Sequence, residues 1–430
     1  MSQGAKMRKG RVGARMRRLP IWPIAFLAVL LTLPLASSAQ TLREAVVLGS
    51  QRDPTIAALR EQVAAETSNV EISRDARRPQ LNISGDTGDN GGDLGINLTV
   101  TQLLADWGLS KSQIAEAEAE RVKVVAMLKS EVEDFTLAMS EAYFEIVIAK
   151  AKIARTQEYV RFTNRQERYS RDRVRAGLAN SAEVARARLE ISRAEEELFQ
   201  HRMDYDIALA EVEFLLGQPL KQVSPPPALA FLDRLKSSRE VITAVVGAPD
   251  YVSASADVAI ARAGVSAARA SRKPQLKLEA TVRQDLTGGR GRSSAVGITA
   301  GMDLTSSGFR GRAVIAAEQR MKAADQRLRA VEKNLQNEVR TYRQRLEALR
   351  VSKRSLQAQV SDARDVLRAF EEQFRAGQRE LQDLLSTGRD LYEAEISAID
   401  TADELNRMEY KAAQSVGLLG AMLLSTKREK

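Results

Sequence analysis

The run Ala76-Arg77-Arg78-Pro79-Gln80-Leu81 returns as Ser271-Arg272-Lys273-Pro274-Gln275-Leu276, and this duplication limits the fold more than any other feature of the 430-residue chain. Downstream the correspondence holds at a spacing of 200 residues, through Gly108 and Gly308, Arg175-Ala176-Gly177 and Arg375-Ala376-Gly377, and Ala194-Glu195 and Ala394-Glu395. Any architecture must therefore serve twice, in units that need not bury their apolar faces alone. Between the copies, Gly217-Gln218-Pro219 and Ser224-Pro225-Pro226-Pro227 cannot continue a helix and favour extended backbone. The organisation expected is a leader over 1–39, a first repeat over 40–217, a Pro-rich linker over 218–240 and a second repeat over 241–430.

The leader is read from Lys6, Arg8, Lys9, Arg11, Arg15, Arg17 and Arg18, followed by an apolar run from Leu19 to Leu35 and the small residues Ala36-Ser37-Ser38-Ala39. Pro20, Pro23 and Pro34 interrupt the run and a cleavage-like site ends it, which describes a secretory signal better than a membrane span. Maturation is expected to leave Gln40 first. Those seven basic residues carry most of the formal +9 charge: removing them from 65 Lys and Arg leaves 58 against 56 Asp and Glu. A nucleic-acid partner thereby loses its electrostatic basis. Cysteine is absent, so disulfides, thiol nucleophiles, zinc-cysteine sites and a lipidated N-terminal cysteine are excluded together.

Each repeat opens with helical patterns, from Thr41 to Asp53-Pro54 and from Thr55 to Arg77, matched by Ala248-Pro249 and Val252 to Arg272 in the second copy. The period then changes to two. Leu81 and Ile83 alternate with Asn82 and Ser84, and Leu94, Ile96, Leu98 and Val100 alternate with Gly95, Asn97, Thr99 and Thr101, across a turn-rich Gly85–Asp93. The second copy repeats this with Leu276, Leu278, Ala280 and Val282, then Val296, Ile298, Ala300, Met302 and Leu304. Such hairpins, about 80–104 and 275–305, commonly cover a soluble core. In an exported chain they also match the apolar-out, polar-in strands of an outer-membrane barrel. Four strands cannot close a barrel, and open edges in lipid would strand backbone groups, so this second reading demands several chains.

From Gly108 to Ala176 there is no proline, and Val125, Leu128, Val132, Phe135, Met139, Ala142, Ile146, Ala149, Ile153, Thr156 and Val160 recur at alternating spacings of three and four. A strict heptad predicts a coiled-coil seam. Its counterpart runs from Val331 through Leu335, Val339, Tyr342, Leu346, Leu349, Leu356, Val360, Ala363, Leu367 and Phe370 to Phe374. A helix of roughly 70 residues is about 100 Å long. Each ends at Arg-Ala-Gly, the composition of a left-handed C-terminal cap. Asn180 with Glu183 is expected to form a capping box for a returning helix, Ala182 to Leu216, and a second return runs to about Leu419.

No catalytic constellation is found: one histidine, His201, reads as a helical polar residue, and metal-ligand spacings and phosphate loops are lacking. The chain is expected to be no enzyme and to need no cofactor or metal. Trp107, where strand meets long helix, is either an interfacial anchor or a packing residue.

Taken in order, Arg175-Ala176-Gly177-Leu178 with Glu183-Val184, and Phe374-Arg375-Ala376-Gly377 with Asp383-Leu384-Leu385 and Leu391-Tyr392-Glu393-Ala394-Glu395, resemble the TolC family of outer membrane efflux proteins. The resemblance implies a mainly α chain with a small β part: periplasmic α-helical hairpins, plus two β-hairpins that contribute to a twelve-stranded barrel in a homotrimer. It implies a passive channel in outer membrane lipid, joined by a periplasmic adaptor to an inner-membrane ABC or proton-driven transporter. It places adaptor docking at Arg175, Ala176, Gly177, Leu178, Arg375, Ala376, Gly377 and Gln378. It places the pore constriction at Asp383, with Arg379 as a latch and Phe374 beside it. Ser386 stands where the family carries a second aspartate, which implies a less negative ring. Lack of a lipidation cysteine leans toward type I protein secretion over multidrug efflux. The rival from another class is a periplasmic coiled-coil adaptor or scaffold.

Overall fold

The computed structural model describes residues 41–87, 94–220, 223–286, 291–302 and 311–425. The expected leader, Leu304, Gly308 and the middles of both hairpin turns lie outside them.

Helix α1 (Leu42–Arg52) starts from a reciprocal capping box in which Thr41 and Glu44 each accept the other's backbone N–H at 3.3 Å. Asp53 ends it and caps α2 (Pro54–Asp75), its Oδ1 accepting the Ile56 N–H at 2.8 Å, with Pro54 in the first turn where its missing donor costs nothing. Strands β1 (Gln80–Thr87) and β2 (Leu94–Ala105) follow, then α3 (Leu109–Arg175) and the returning α4 (Ser181–Leu216). After a 3-10 turn at Leu232–Arg234 the series repeats as α5 (Ser238–Val246), α6 (Pro249–Ala270), β3 (Gln275–Asp285), β4 (Arg292–Gly301), α7 (Arg312–Arg375) and α8 (Leu381–Ser415), closed by a short α9 (Leu419–Ser425).

Three boundaries depart from the sequence reading. Helix α5 begins within the stretch expected as linker, because Ser237 and Glu240 form a second reciprocal capping box. Strand β1 continues past Gly85, which still pairs with Ile96. Helix α7 is preceded by Gly311, so the offset from Gly108, which precedes α3, has slipped from 200 to 203 residues.

The four strands form one antiparallel sheet in the order β1-β2-β3-β4. Leu81, Val100, Ala280 and Val296 stand in one cross-strand row, and Ile83, Leu98 and Val282 in the next. The opposite face carries Asn82, Thr99 and Thr281, then Ser84, Asn97 and Arg283, with the Thr99 and Thr281 hydroxyls 3.4 Å apart. Among the described residues no other element covers the apolar face: Ile83 is 67% and Val296 75% exposed.

The helices hold two cores. In the larger, Met139, Tyr143 and Ile146 of α3 meet Val339 and Leu346 of α7, Val212 and Leu216 of α4, and Tyr410 of α8. The Pro-rich segment is strapped onto this core: Glu409 accepts the Leu232 N–H at 2.8 Å, and the Tyr410 hydroxyl donates to the Pro227 carbonyl at 2.7 Å. The smaller core, near the helical bends, contains Tyr159, Phe162, Ala187, Phe374, Leu384 and Tyr392. The α3 seam is buried at Phe135, Met139, Ala142, Ile146, Ala149 and Thr156. Val125 breaks it: this residue is exposed while Val124 and Ala126 are buried. This part of α3 packs against both α2 and α6, Glu118 pairing with Arg74 of α2 and Lys123 with Asp257 of α6, and two flanking partners replace the single seam that a heptad serves.

Candidate functional site: the sheet face and the helical bends

Both bends close the same way. Beyond the C-caps Ala176 and Ala376, Gly177 and Gly377 adopt φ of +73° and +74°, a region that side chains disfavour. The Gly177 and Leu178 N–H groups return to the Val174 and Arg173 carbonyls at 3.0 and 2.9 Å, and the Gly377 and Gln378 N–H groups to Phe374 and Gln373 at 3.0 and 2.8 Å. These paired bonds are the Schellman arrangement, and they satisfy carbonyls that a helix end would otherwise orphan. Leu178 projects 71% exposed, between the exposed Arg175 and the start of α4. Arg175 pairs with Asp172 at 3.4 Å, and Arg375 and Gln378 are likewise exposed. On the return, Asn180 accepts the Glu183 N–H at 3.2 Å, but the reciprocal bond of a capping box is not formed, so that expectation is only half met.

The expected constriction residues occupy two environments. Arg379 lies 3.3 Å from Asp383 one turn along, donates to Gln373 at 3.1 Å, and sits over the Phe370 ring at 3.9 Å. Asp383 is part-exposed and Ser386 exposed, the latter donating to the Asp383 carbonyl at 3.0 Å. Phe374 is 2% exposed inside the smaller core, against Tyr169 and Arg173. The ring beside Arg379 is therefore Phe370, one helical turn before Phe374.

Sequence reasoning missed the polar cluster that ties the returning helices together. Glu190 of α4, 7% exposed at its side chain, receives both guanidinium prongs of Arg389 from α8 and the Tyr159 hydroxyl of α3 at 2.6 Å. Burial, then the Glu190 carboxylate, pushes the Tyr159 hydroxyl far above its ordinary value. Tyr159 stacks on Tyr392 with centroids 4.5 Å apart, and the Tyr392 hydroxyl meets that of Thr156 at 2.8 Å. No periodic signal marks Glu190, whose partner is 199 residues away. Gly388, inside α8, was a readable signal: a Cβ there would lie 2.3 Å from the Phe162 ring. His201 is part-buried on α4, 3.6 Å from Asp204.

The profile of the outer membrane efflux protein family matches residues 48–218 and again 243–417, one match to each repeat. Among curated proteins, the outer membrane efflux protein BepC of Brucella suis is 22% identical over 400 residues, covering 90% of this chain and 87% of its own. Among solved structures, VceC of Vibrio cholerae superposes with a TM-score of 0.78 at 14% identity, over 87% of this chain and 96% of its own. The open state of the Neisseria gonorrhoeae MtrE outer membrane channel superposes with 0.72 at 18% identity, over 88% and 89%. A soluble periplasmic adaptor or scaffold is thereby set aside. The exposed apolar sheet face and the duplicated long hairpins are those of a TolC-like channel in the outer membrane, and the chain belongs to the outer membrane efflux protein family.

Proposed function

We propose that this chain is the passive exit duct of a tripartite export assembly, in which an inner-membrane transporter supplies the energy and a periplasmic adaptor couples it to the duct. The observation that carries the reading is the juxtaposition of an uncovered apolar sheet face with helical hairpins of about 100 Å whose bends point away from it. Three copies, each adding β4 to the next copy's β1, would close twelve strands and leave no edge in lipid. Exposed Phe199, Met203, Ile207 and Phe214 along α4 supply apolar surface for contact between copies. The bends at Arg175–Leu178 and Arg375–Gln378 are the adaptor-docking surface in this reading.

Efflux is the cargo class favoured by the likeness to the efflux protein BepC. The missing lipidation cysteine is the observation on the side of protein secretion. Because the chain has no cysteine, Leu178→Cys creates a unique thiol for crosslinking in cells. It should capture a periplasmic adaptor, and export intact without any adduct would refute docking at the bend. In a deletion strain, accumulation of dye with an unchanged secretome assigns efflux, and the reverse assigns secretion.

A further inference from the structure

Both repeats enter the sheet through one kind of turn, Arg77-Arg78-Pro79 before β1 and Arg272-Lys273-Pro274 before β3. Strands β1 and β3 are each antiparallel to β2, so both turns lie at the same end of the sheet, where β2 passes through Asp106-Trp107-Gly108 into α3. Gln80 there faces Thr101, and Leu276 faces Ala105.

This end is held rigidly. Trp107 has a left-handed φ of +56°, a costly conformation for an aromatic residue. Asp106 fixes it by accepting the Gly108 N–H at 3.0 Å and the Ser110 N–H at 2.6 Å. The indole N–H donates to the Pro274 carbonyl at 2.8 Å, and the Lys273 ammonium stands 5.0 Å from the ring centroid. The Gln102 amide donates to the Arg77 carbonyl at 3.1 Å, tying the other turn to the same strand.

The charges differ on the two sides of these turns. On the helix side, Arg74 and Arg269 are each paired with a carboxylate, Glu118 at 2.7 Å and Glu318 at 2.6 Å. On the sheet side, Arg77, Arg78, Arg272 and Lys273 are all exposed, and among the described residues only Arg78 forms an ion pair, with Asp75 at 2.7 Å. Among the described residues, Arg77, Arg272 and Lys273 thus border the apolar face without an ion pair, Arg77 acting on Asp106 only at longer range, and indole favours the same boundary between hydrocarbon and water.

We propose that this rim binds the phosphate head groups of acidic phospholipids in the periplasm-facing leaflet, at two basic sites per chain related by the duplication, with Trp107 standing at the second. The inference rests on the lipid-facing reading of the sheet. Exposed guanidinium and ammonium groups at a membrane surface attract anionic lipid, and the rigid backbone lets them do so without ordering a loop.

The chain has two tryptophans, Trp22 in the expected leader and Trp107, so the mature protein would report from Trp107 alone. The mature trimer is reconstituted in phosphatidylcholine vesicles, and brominated phosphatidylglycerol or brominated phosphatidylcholine is substituted stepwise. Trp107 fluorescence should be half-quenched at about five-fold lower mole fraction of the acidic lipid. Arg272→Gln with Lys273→Gln should merge the two curves while leaving quenching by phosphatidylcholine in place. Equal curves in the unmodified protein, or a preference that the double variant retains, would overturn the proposal. So would loss of the preference on adding inorganic phosphate, since the rim would then take a free anion. Absence of quenching by either lipid would refute the membrane placement of the sheet end itself, and the proposal with it.

Discussion

Arg389 places its Nε 2.9 Å from Glu190 Oε1 and closes its second prong on Oε2, so one ion pair joins the two returning helices α4 and α8. Glu190 is also served by Tyr159 and, at 3.7 Å, by Arg193. The carboxylate is buried, and its neutralisation depends mainly on one residue from the other repeat.

Removing the arginine alone should therefore be worse than removing the pair. Arg389→Ala is expected to cost about 2–3 kcal/mol, below the usual range for a buried pair because the guanidinium is partly open to water. Glu190→Leu with Arg389→Leu should recover most of that loss. Denaturant unfolding of the parent, Glu190→Leu, Arg389→Leu and the double variant checks it, and a double-variant loss equal to the sum of the two single losses would show that the pair is not coupled.

Gly388 faces the Phe162 ring so closely that an added methyl would fall 2.3 to 2.6 Å from its carbons. Gly388→Ala should cost about 1–3 kcal/mol by overpacking, against the small gain a helical alanine ordinarily brings. Phe162→Leu in the same chain should relieve it. A thermal midpoint that Gly388→Ala leaves unchanged or raises would mean that α3 and α8 can separate at no cost.

Acidification should strengthen the larger core before it weakens the chain. Burial raises the Glu133 carboxyl above the ordinary 4.5, outweighing its bonds from the Gly420 N–H, and Glu409 shifts the same way despite the Leu232 N–H. The folded state then holds protons that the unfolded chain has released, so this contribution is fully present below 4.5 and is lost as pH rises through the raised folded values. Glu167 runs oppositely. Arg171 leads in holding it down, and its contribution disappears only as pH falls below the ordinary range. The thermal midpoint should rise as pH is lowered from 7 toward 4.5, and Glu133→Gln, which can still accept from Gly420, should flatten the slope.

What could be read in the sequence was what repeats or alternates. Pro79 and Pro274, the Arg-Ala-Gly ends and the apolar alternation from Leu94 to Val100 are local signals, and the structure places a strand or a cap at each. Val125 departs from the heptad because a heptad presumes one partner, and α3 has two in this region, α2 at Glu118 and α6 at Lys123. The family resemblance puts Phe374 beside Arg379, whereas packing against Tyr169 draws its ring into the core and leaves Phe370 under the guanidinium. Glu190 was invisible because an acidic residue on a polar helix looks solvated until its partner from the other repeat is known.

Asp383 and Arg379 make the last test. The ion pair at 3.3 Å lies within one chain, and Arg379 is held further by Gln373 and by the face of Phe370. In a three-fold channel, Asp383 would recur three times about one axis, each carboxylate partly offset by its own arginine. Such a ring attracts divalent cations, and Ser386 adds no second charge to it. In planar bilayers, Asp383→Ala should weaken block by divalent cations from the periplasmic side by about tenfold, equivalent to about 1.4 kcal/mol. Arg379→Ser should act in two ways: raise the resting conductance by freeing the bend, and tighten divalent block by leaving three carboxylates without their partners. Block and conductance unchanged in both variants would remove the constriction from this turn of α8.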